Sequence, residues 1–147
     1  KIFLINKQTS LPTPVPVIDV VLCHRKLGHD AVELFRQALE QYFYYELICD
    51  DLPIHGFIGY TEPAEPRPES VETRHFLFTH FDFSISHNER RIIQINVTTD
   101  RSRVVELTDM AQVEFDFTYS VKWVNTTFPF KKRMDLYKGL WFLKTNK

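Results

Sequence analysis

Glycine is scarce in this chain, with four residues in 147 against thirteen Phe. That balance excludes a disordered chain and favours a packed, β-rich body. Charge of one sign is also missing, since 18 basic residues stand against 19 acidic ones and leave a net charge of −1. Without a long-range field nothing gathers nucleic acid or an anionic membrane, and nucleic acid is not expected as a partner. Long hydrophobic runs are absent as well. The stretch 15–22 is broken by Pro16 and Asp19, and nothing approaches the roughly 20 apolar residues that a membrane-crossing helix needs. Residues 1–5 are too short for the apolar core of a signal peptide, so any targeting information is expected outside this sequence, which by itself reads as soluble. Only two cysteines occur, Cys23 and Cys49. They allow one disulfide, but buried free thiols are equally common, and both readings stay open.

What is present is apolar: 44% hydrophobic and 14% aromatic residues, in a chain long enough to support one core. Pro12, Pro14 and Pro16 alternate in residues 1–16, which read as an extended lead-in. Val17 to Cys23 is β-branched and apolar, a strand. Asp30 and Glu33 form a capping-box pattern, and Ala31, Leu34, Phe35, Ala38, Leu39 and Tyr42 then follow helical spacing. Strand, turn, strand is expected across residues 43–60, with the turn at Asp50-Asp51-Leu52-Pro53. Residues 61–70 hold Pro63, Pro66 and Pro68 among charges and should form an exposed loop. Residues 76–85 and 91–98 read as a hairpin turning at His87-Asn88-Glu89-Arg90, with Ile93, Ile95 and Val97 on one face. The clearest strand is 113–123, where Val113, Phe115, Phe117, Tyr119, Val121 and Trp123 alternate with polar residues. With a short strand at 104–107, the expected fold is mainly β (α+β). It is an antiparallel β-sandwich of about seven strands, residues 17–138, with one amphipathic helix packed on one side.

Little of this suggests chemistry. His75 and His80, five apart on one expected strand, point to opposite faces, while His24, His29, His55 and His87 show no ligand spacing. All six read as surface or turn residues, and no metal or cofactor is expected. Asp50 and Asp51 are explained by turn chemistry rather than as a catalytic acid pair. Tyr42, Phe43, Tyr44 and Tyr45 read as core at the helix-to-strand junction, a sugar-stacking platform being the alternative. Two sequons occur, Asn96-Val97-Thr98 and Asn125-Thr126-Thr127. Asn96 lies opposite the apolar face of its strand, so a glycan there would leave the core undisturbed. Asn125 lies just past the strongest strand and should also be accessible.

Three blocks together resemble the transmembrane 9 superfamily, the nonaspanins or endomembrane protein 70 family. The first runs through Asp50-Asp51-Leu52-Pro53-Ile54 into Gly56-Phe57-Ile58-Gly59, and the second is Arg91-Ile92-Ile93-Gln94-Ile95-Asn96-Val97-Thr98. The third and most specific is Tyr119-Ser120-Val121-Lys122-Trp123, similar to the family's Y-S-V-x-W, followed by Phe130, Arg133, Asp135 and Tyr137 as in F-x-x-R-x-D-x-Y. Similarity extends from about Cys23 to about Tyr137 and looks closest to the first animal subfamily. Upstream the family carries a β-rich segment with an L-P-F-C motif, whose cysteine is the partner this resemblance implies for Cys23, leaving Cys49 unpaired. Residues 1–16 do not match that segment, and residues 139–147 read as a divergent tail, so the chain is expected to be a fragment of the family's lumenal domain.

The resemblance implies a resident of Golgi and endosomal membranes, anchored by spans outside this chain, with the present domain on the lumenal side. It implies assistance to the trafficking and membrane localisation of other membrane proteins, the cargo, with roles in adhesion and phagocytosis. No catalytic residue carries over, so no enzyme is expected. The expected role is recognition or scaffolding through edge strands or the loop 61–73, and the alternative is a lumenal carbohydrate-binding sandwich. In a secretory host Asn96 should carry a glycan, and Asn96→Gln should speed the protein's migration on a gel; unchanged mobility would sink the expectation.

Overall fold

Nine strands and two helical segments make this a mainly β fold, and the computed structural model describes residues 15–64, 72–108 and 112–138 of it. In chain order the elements are β1 (Val17–Leu27), α1 (His29–Glu40), β2 (Tyr44–Cys49), β3 (Leu52–Phe57), β4 (Gly59–Pro63) and β5 (Thr73–Phe78). They continue with β6 (His80–Asn88), β7 (Arg91–Thr98), β8 (Val104–Glu106), β9 (Val113–Asn125) and a 3-10 helix (Phe130–Tyr137). Nearly all of the lead-in 1–16, the centre of the proline-rich loop 61–70 and the tail 139–147 lie outside the described residues.

The main sheet has the order β1-β9-β6-β7. Alternation fixes its register: β6 and β9 place Phe81 beside Tyr119, Phe83 beside Val121 and Ile85 beside Trp123, so the apolar rows of both strands share one face. The other face carries Asp82, Ser84, Thr118, Ser120 and Lys122. Among the described pairs every one but β6–β9 is antiparallel, as expected of the sandwich, and that one is parallel. The parallel pair traces to Thr79, which splits the expected strand 76–85 in two. Its N–H donates to the Arg103 carbonyl and its own carbonyl accepts from Thr118, so the chain leaves one sheet after β5 and enters the other as β6.

Opposite the main sheet lie the three-stranded sheet β4-β5-β8 and the β2–β3 hairpin. Two apolar clusters fill the space between. In one, Val32 and Leu39 of α1 meet Leu77 and Leu107, with Phe115 and Phe117 packed against them. In the other, Leu52 and Ile54 meet Ile95 and Tyr137, with Tyr45, Leu47 and Cys49 from β2 alongside. The hairpin thus buries the row Tyr45, Leu47, Cys49, Leu52 and Ile54 and turns the alternate row outward.

The helix is present where expected but rotated. It starts at His29 after Gly28, with no side-chain cap from Asp30. Val32 and Leu39 are its buried residues, while Leu34 is exposed. A helix wedged between two sheets buries only the stripe that meets both, here Val32, Phe35 and Leu39. It ends with Tyr42 in the left-handed region, φ 55°, and with the Phe43 N–H donating to the Ala38 carbonyl at 2.9 Å, an arrangement that glycine usually supplies.

Gly59 sits where β4 crosses closest to β5. A Cβ there would meet the Phe76 carbonyl oxygen at 2.0 Å, and Gly59 is registered against Leu77 in the core. Gly59→Ala should therefore destabilise the chain by about 1–3 kcal/mol through strain, read as a lowered urea midpoint; an unchanged midpoint would contradict this packing.

Candidate functional site

The motif residues gather in two places. At the first, β2 and β3 are joined by a two-residue turn whose central residues, Asp50 and Asp51, have φ of 49° and 63°. Two positive φ values match the twist of a tight hairpin, and aspartate tolerates that region better than most side chains. Across from the turn, Pro129 leads into the 3-10 helix, which presents Phe130, Arg133 and Tyr137 along one side. The Arg133 guanidinium donates to the Asp50 carboxylate, to the Asp50 carbonyl at 2.9 Å and to the Ile92 carbonyl at 2.9 Å, and it stacks on Phe130 with Cζ 4.3 Å from the ring centre. Tyr137 accepts a hydrogen bond from the Ile95 N–H at 3.0 Å, and burial holds its phenol above the ordinary range. Turn, strand β7 and 3-10 helix are thereby fastened at one buried clasp. Leu52 beside it is fully buried, and Pro53 faces Ile48 across the hairpin. Asp51 and Asp135 face water, Asp135 pairing with Lys138 at 2.7 Å.

The second place is the centre of the main sheet. Tyr119 packs edge-on to Phe83, Val121 is registered against both Val17 and Phe83, and Trp123 donates to the Val15 carbonyl at 3.0 Å. Ser120 lies on the opposite face, where its Oγ accepts the Asp19 N–H and lies 3.1 Å from His80 Nε2.

Reading the histidines as surface residues is corrected for two of them: His75 and His80 are 2% and 1% exposed. His75 Nε2 lies 2.8 Å from Glu40 and links α1 to β5. His80 Nδ1 lies 2.7 Å from the Thr118 hydroxyl. His24 is exposed, and its two ring nitrogens face Asp116 at 2.7 Å and Glu114 at 2.9 Å. Carboxylates only accept, so the array needs the doubly protonated ring, and these two hydrogen bonds raise the His24 pKa above 6.5.

A cleft of about 350 Å³ opens between α1 and the ends of β5 and β8, lined by Arg36, Glu40, Arg74, His75 and Glu106 among others. Two pairs in it are engaged: His75 with Glu40, and Arg74 with Glu106, which it grips with two bonds of 2.7 Å, raising the pKa of the arginine and lowering that of the glutamate. Among the described residues no three ligand-type side chains are grouped to hold a metal ion.

The aromatic run is a further correction. Only Tyr45 turns inward, its ring against Gly56 and edge-on to Phe81, and burial pushes its phenol up to about 12. Tyr42, Phe43 and Tyr44 are 74%, 54% and 52% exposed. The left-handed turn at Tyr42 and the pleat of β2 send them outward, a consequence of dihedrals rather than of hydropathy. Asn96 and Asn125 are both exposed. Cys23 and Cys49 are both free, half-buried thiols on strands of different sheets, so no bond joins them, and burial raises the Cys49 pKa.

The chain matches the family model described as endomembrane protein 70 over residues 6–146, further in both directions than the motif blocks reach. It is 42% identical over 117 residues to transmembrane 9 superfamily member 3 of Arabidopsis thaliana, covering 80% of this chain and 20% of that protein. It is 38% identical over 122 residues to transmembrane 9 superfamily member 1 of Bos taurus, covering 81% of this chain and 20% of that protein. The chain thus spans about a fifth of the length of these relatives. No solved structure matches it. No helix among the described residues is long and apolar enough to cross a membrane.

Two outcomes test this geometry. Arg133→Lys should lose about 1–3 kcal/mol in chemical denaturation, because one ammonium nitrogen cannot replace the two separated donor nitrogens or the planar stack on Phe130, while Asp135→Asn at the exposed ion pair should stay within about 0.5 kcal/mol. His24 has a folded pKa above its unfolded value, so its stabilisation is complete below 6.5 and disappears as pH rises through the folded value. His24→Gln should therefore flatten the fall in thermal midpoint between about pH 6 and 8; an unaltered profile would refute the array.

Proposed function

Because the chain belongs to the endomembrane protein 70 family of membrane proteins, we propose that it is a lumenal, non-catalytic recognition module. On this reading the whole protein resides in Golgi and endosomal membranes and assists the trafficking and membrane localisation of other membrane proteins. The observation that carries the reading is the outer edge of β1. β1 is the last strand of its sheet, eleven residues long, and Ile18 is 81% exposed with Val21 and Leu22 more than half exposed beside it. An apolar edge that no described strand covers offers its N–H and C=O groups to an extended segment of cargo, and the flanking aliphatic side chains read that segment's side chains.

The pairing of Arg74 with Glu106 and of His75 with Glu40 in the cleft supports a non-catalytic role, since these groups are already engaged with each other. Carbohydrate binding is the second reading, and exposed Tyr42, Phe43 and Tyr44 favour it. Against it, the outward face of β6 presents Asp82, Ser84 and Ser86 rather than aromatic rings.

In cells lacking the full-length protein, re-expression should restore surface delivery of a multi-spanning cargo protein. A Val21→Lys, Leu22→Lys variant that reaches the same compartment should not. Full rescue by that variant would remove β1 from the mechanism, and selective retention of the chain on a glycan array would favour the carbohydrate reading.

A further inference from the structure

The β2–β3 hairpin is a two-stranded ribbon with an inner and an outer face. Its inner row is held against the main sheet by Leu52, Ile54 and their neighbours, and its turn is fixed by Arg133. The outer row follows from the register: Tyr44 beside Phe57, Glu46 beside His55 and Ile48 beside Pro53. Tyr44, Phe57 and Ile48 are 52%, 58% and 42% exposed, and Tyr42 and Phe43 extend the row past one end. Apolar side chains line most of a rigid strip that nothing among the described residues covers.

The chemistry of the strip narrows its occupant. The polar pair within it, Glu46 and His55, face each other 3.6 Å apart across the two strands. Lysine and arginine are absent from both strands, so nothing there would select anionic headgroups. Phenylalanine and isoleucine beside the amphipathic rings of Tyr42 and Tyr44 are the combination that settles at a lipid–water boundary, with hydroxyls among headgroups and ring bodies at the acyl border. The relatives are named for their membrane spans, and this chain is about a fifth of their length. In the whole protein a membrane anchor would hold the strip at high local concentration near a bilayer.

We infer that the outer face of the β2–β3 hairpin docks on the surface of a neutral phospholipid bilayer. The docking is interfacial and driven by apolar burial, and it stands apart from cargo contact at β1. It would fix the orientation of the domain above the membrane and leave β1 free to receive an extended segment.

The probe is large unilamellar vesicles of phosphatidylcholine, sedimented with the 147-residue chain. The wild-type chain should bind equally in low and high salt. Tyr44→Ser with Phe57→Ser should weaken partitioning by about tenfold or more, with an unchanged thermal midpoint because both side chains face outward. Val21→Ser with Leu22→Ser should bind like wild type, which separates this inference from the cargo reading. A second measurement avoids dependence on truncation: Phe57→Trp should gain fluorescence that brominated phosphatidylcholine quenches. Three results would overturn the inference: no association with neutral vesicles, association that needs anionic lipid and vanishes in salt, or a dimer in sedimentation equilibrium that Tyr44→Ser with Phe57→Ser dissolves.

Discussion

The guanidinium of Arg133 is the constraint on which the hairpin side of the molecule depends. A two-stranded ribbon has little stability alone, and β2–β3 is not hydrogen-bonded into either larger sheet. Its position rests on the apolar row it buries and on one buried arginine that closes the Asp50 turn onto the carbonyl of Ile92. Two separated nitrogens of one planar group, donating to three acceptors, define a position as well as an attraction, which the single nitrogen of an ammonium could not do. The clasp therefore sets where the outer row of Tyr44, Ile48 and Phe57 faces.

Residues far apart in sequence make up this clasp, and the sequence shows them only as three separate blocks. The alternation in 113–123 and in 91–98 was legible because one face of each strand is apolar and the period is two. The helix was legible, and so were Phe35 and Leu39 of its buried stripe, but not the burial of Val32 in place of Leu34, because the two sheets that wedge it are defined by long-range pairing. The break at Thr79 could not be read locally either. Nothing in Phe78-Thr79-His80 signals a corner, and the partners that make one, Arg103 and Thr118, lie well downstream. The 3-10 helix does carry a sequence signal: Pro129 followed by Phe130, Arg133 and Tyr137 at helical spacing.

Hydropathy misjudged two groups of residues for opposite reasons. Imidazoles usually lie at the surface, yet His75 and His80 are each buried with a polar partner. Aromatic rings usually lie in the core, yet a left-handed residue and the pleat turn Tyr42, Phe43 and Tyr44 outward. In both cases the exception marks a place where tertiary constraint overrode composition. The buried histidines became joints between elements, and the exposed rings became surface.

The pairing of β1 with β9 joins the first described strand to the last, with Val17 against Val121 and Leu27 against Val113. A nascent chain leaving the ribosome therefore presents β1 before its only described neighbour exists, and β6 must likewise wait for the same late strand. Contacts of such sequence separation make for slow, all-or-none closure. Until β9 is synthesised, the apolar residues of β1 stay open to chaperones, so among the described strands this one waits longest for its partner.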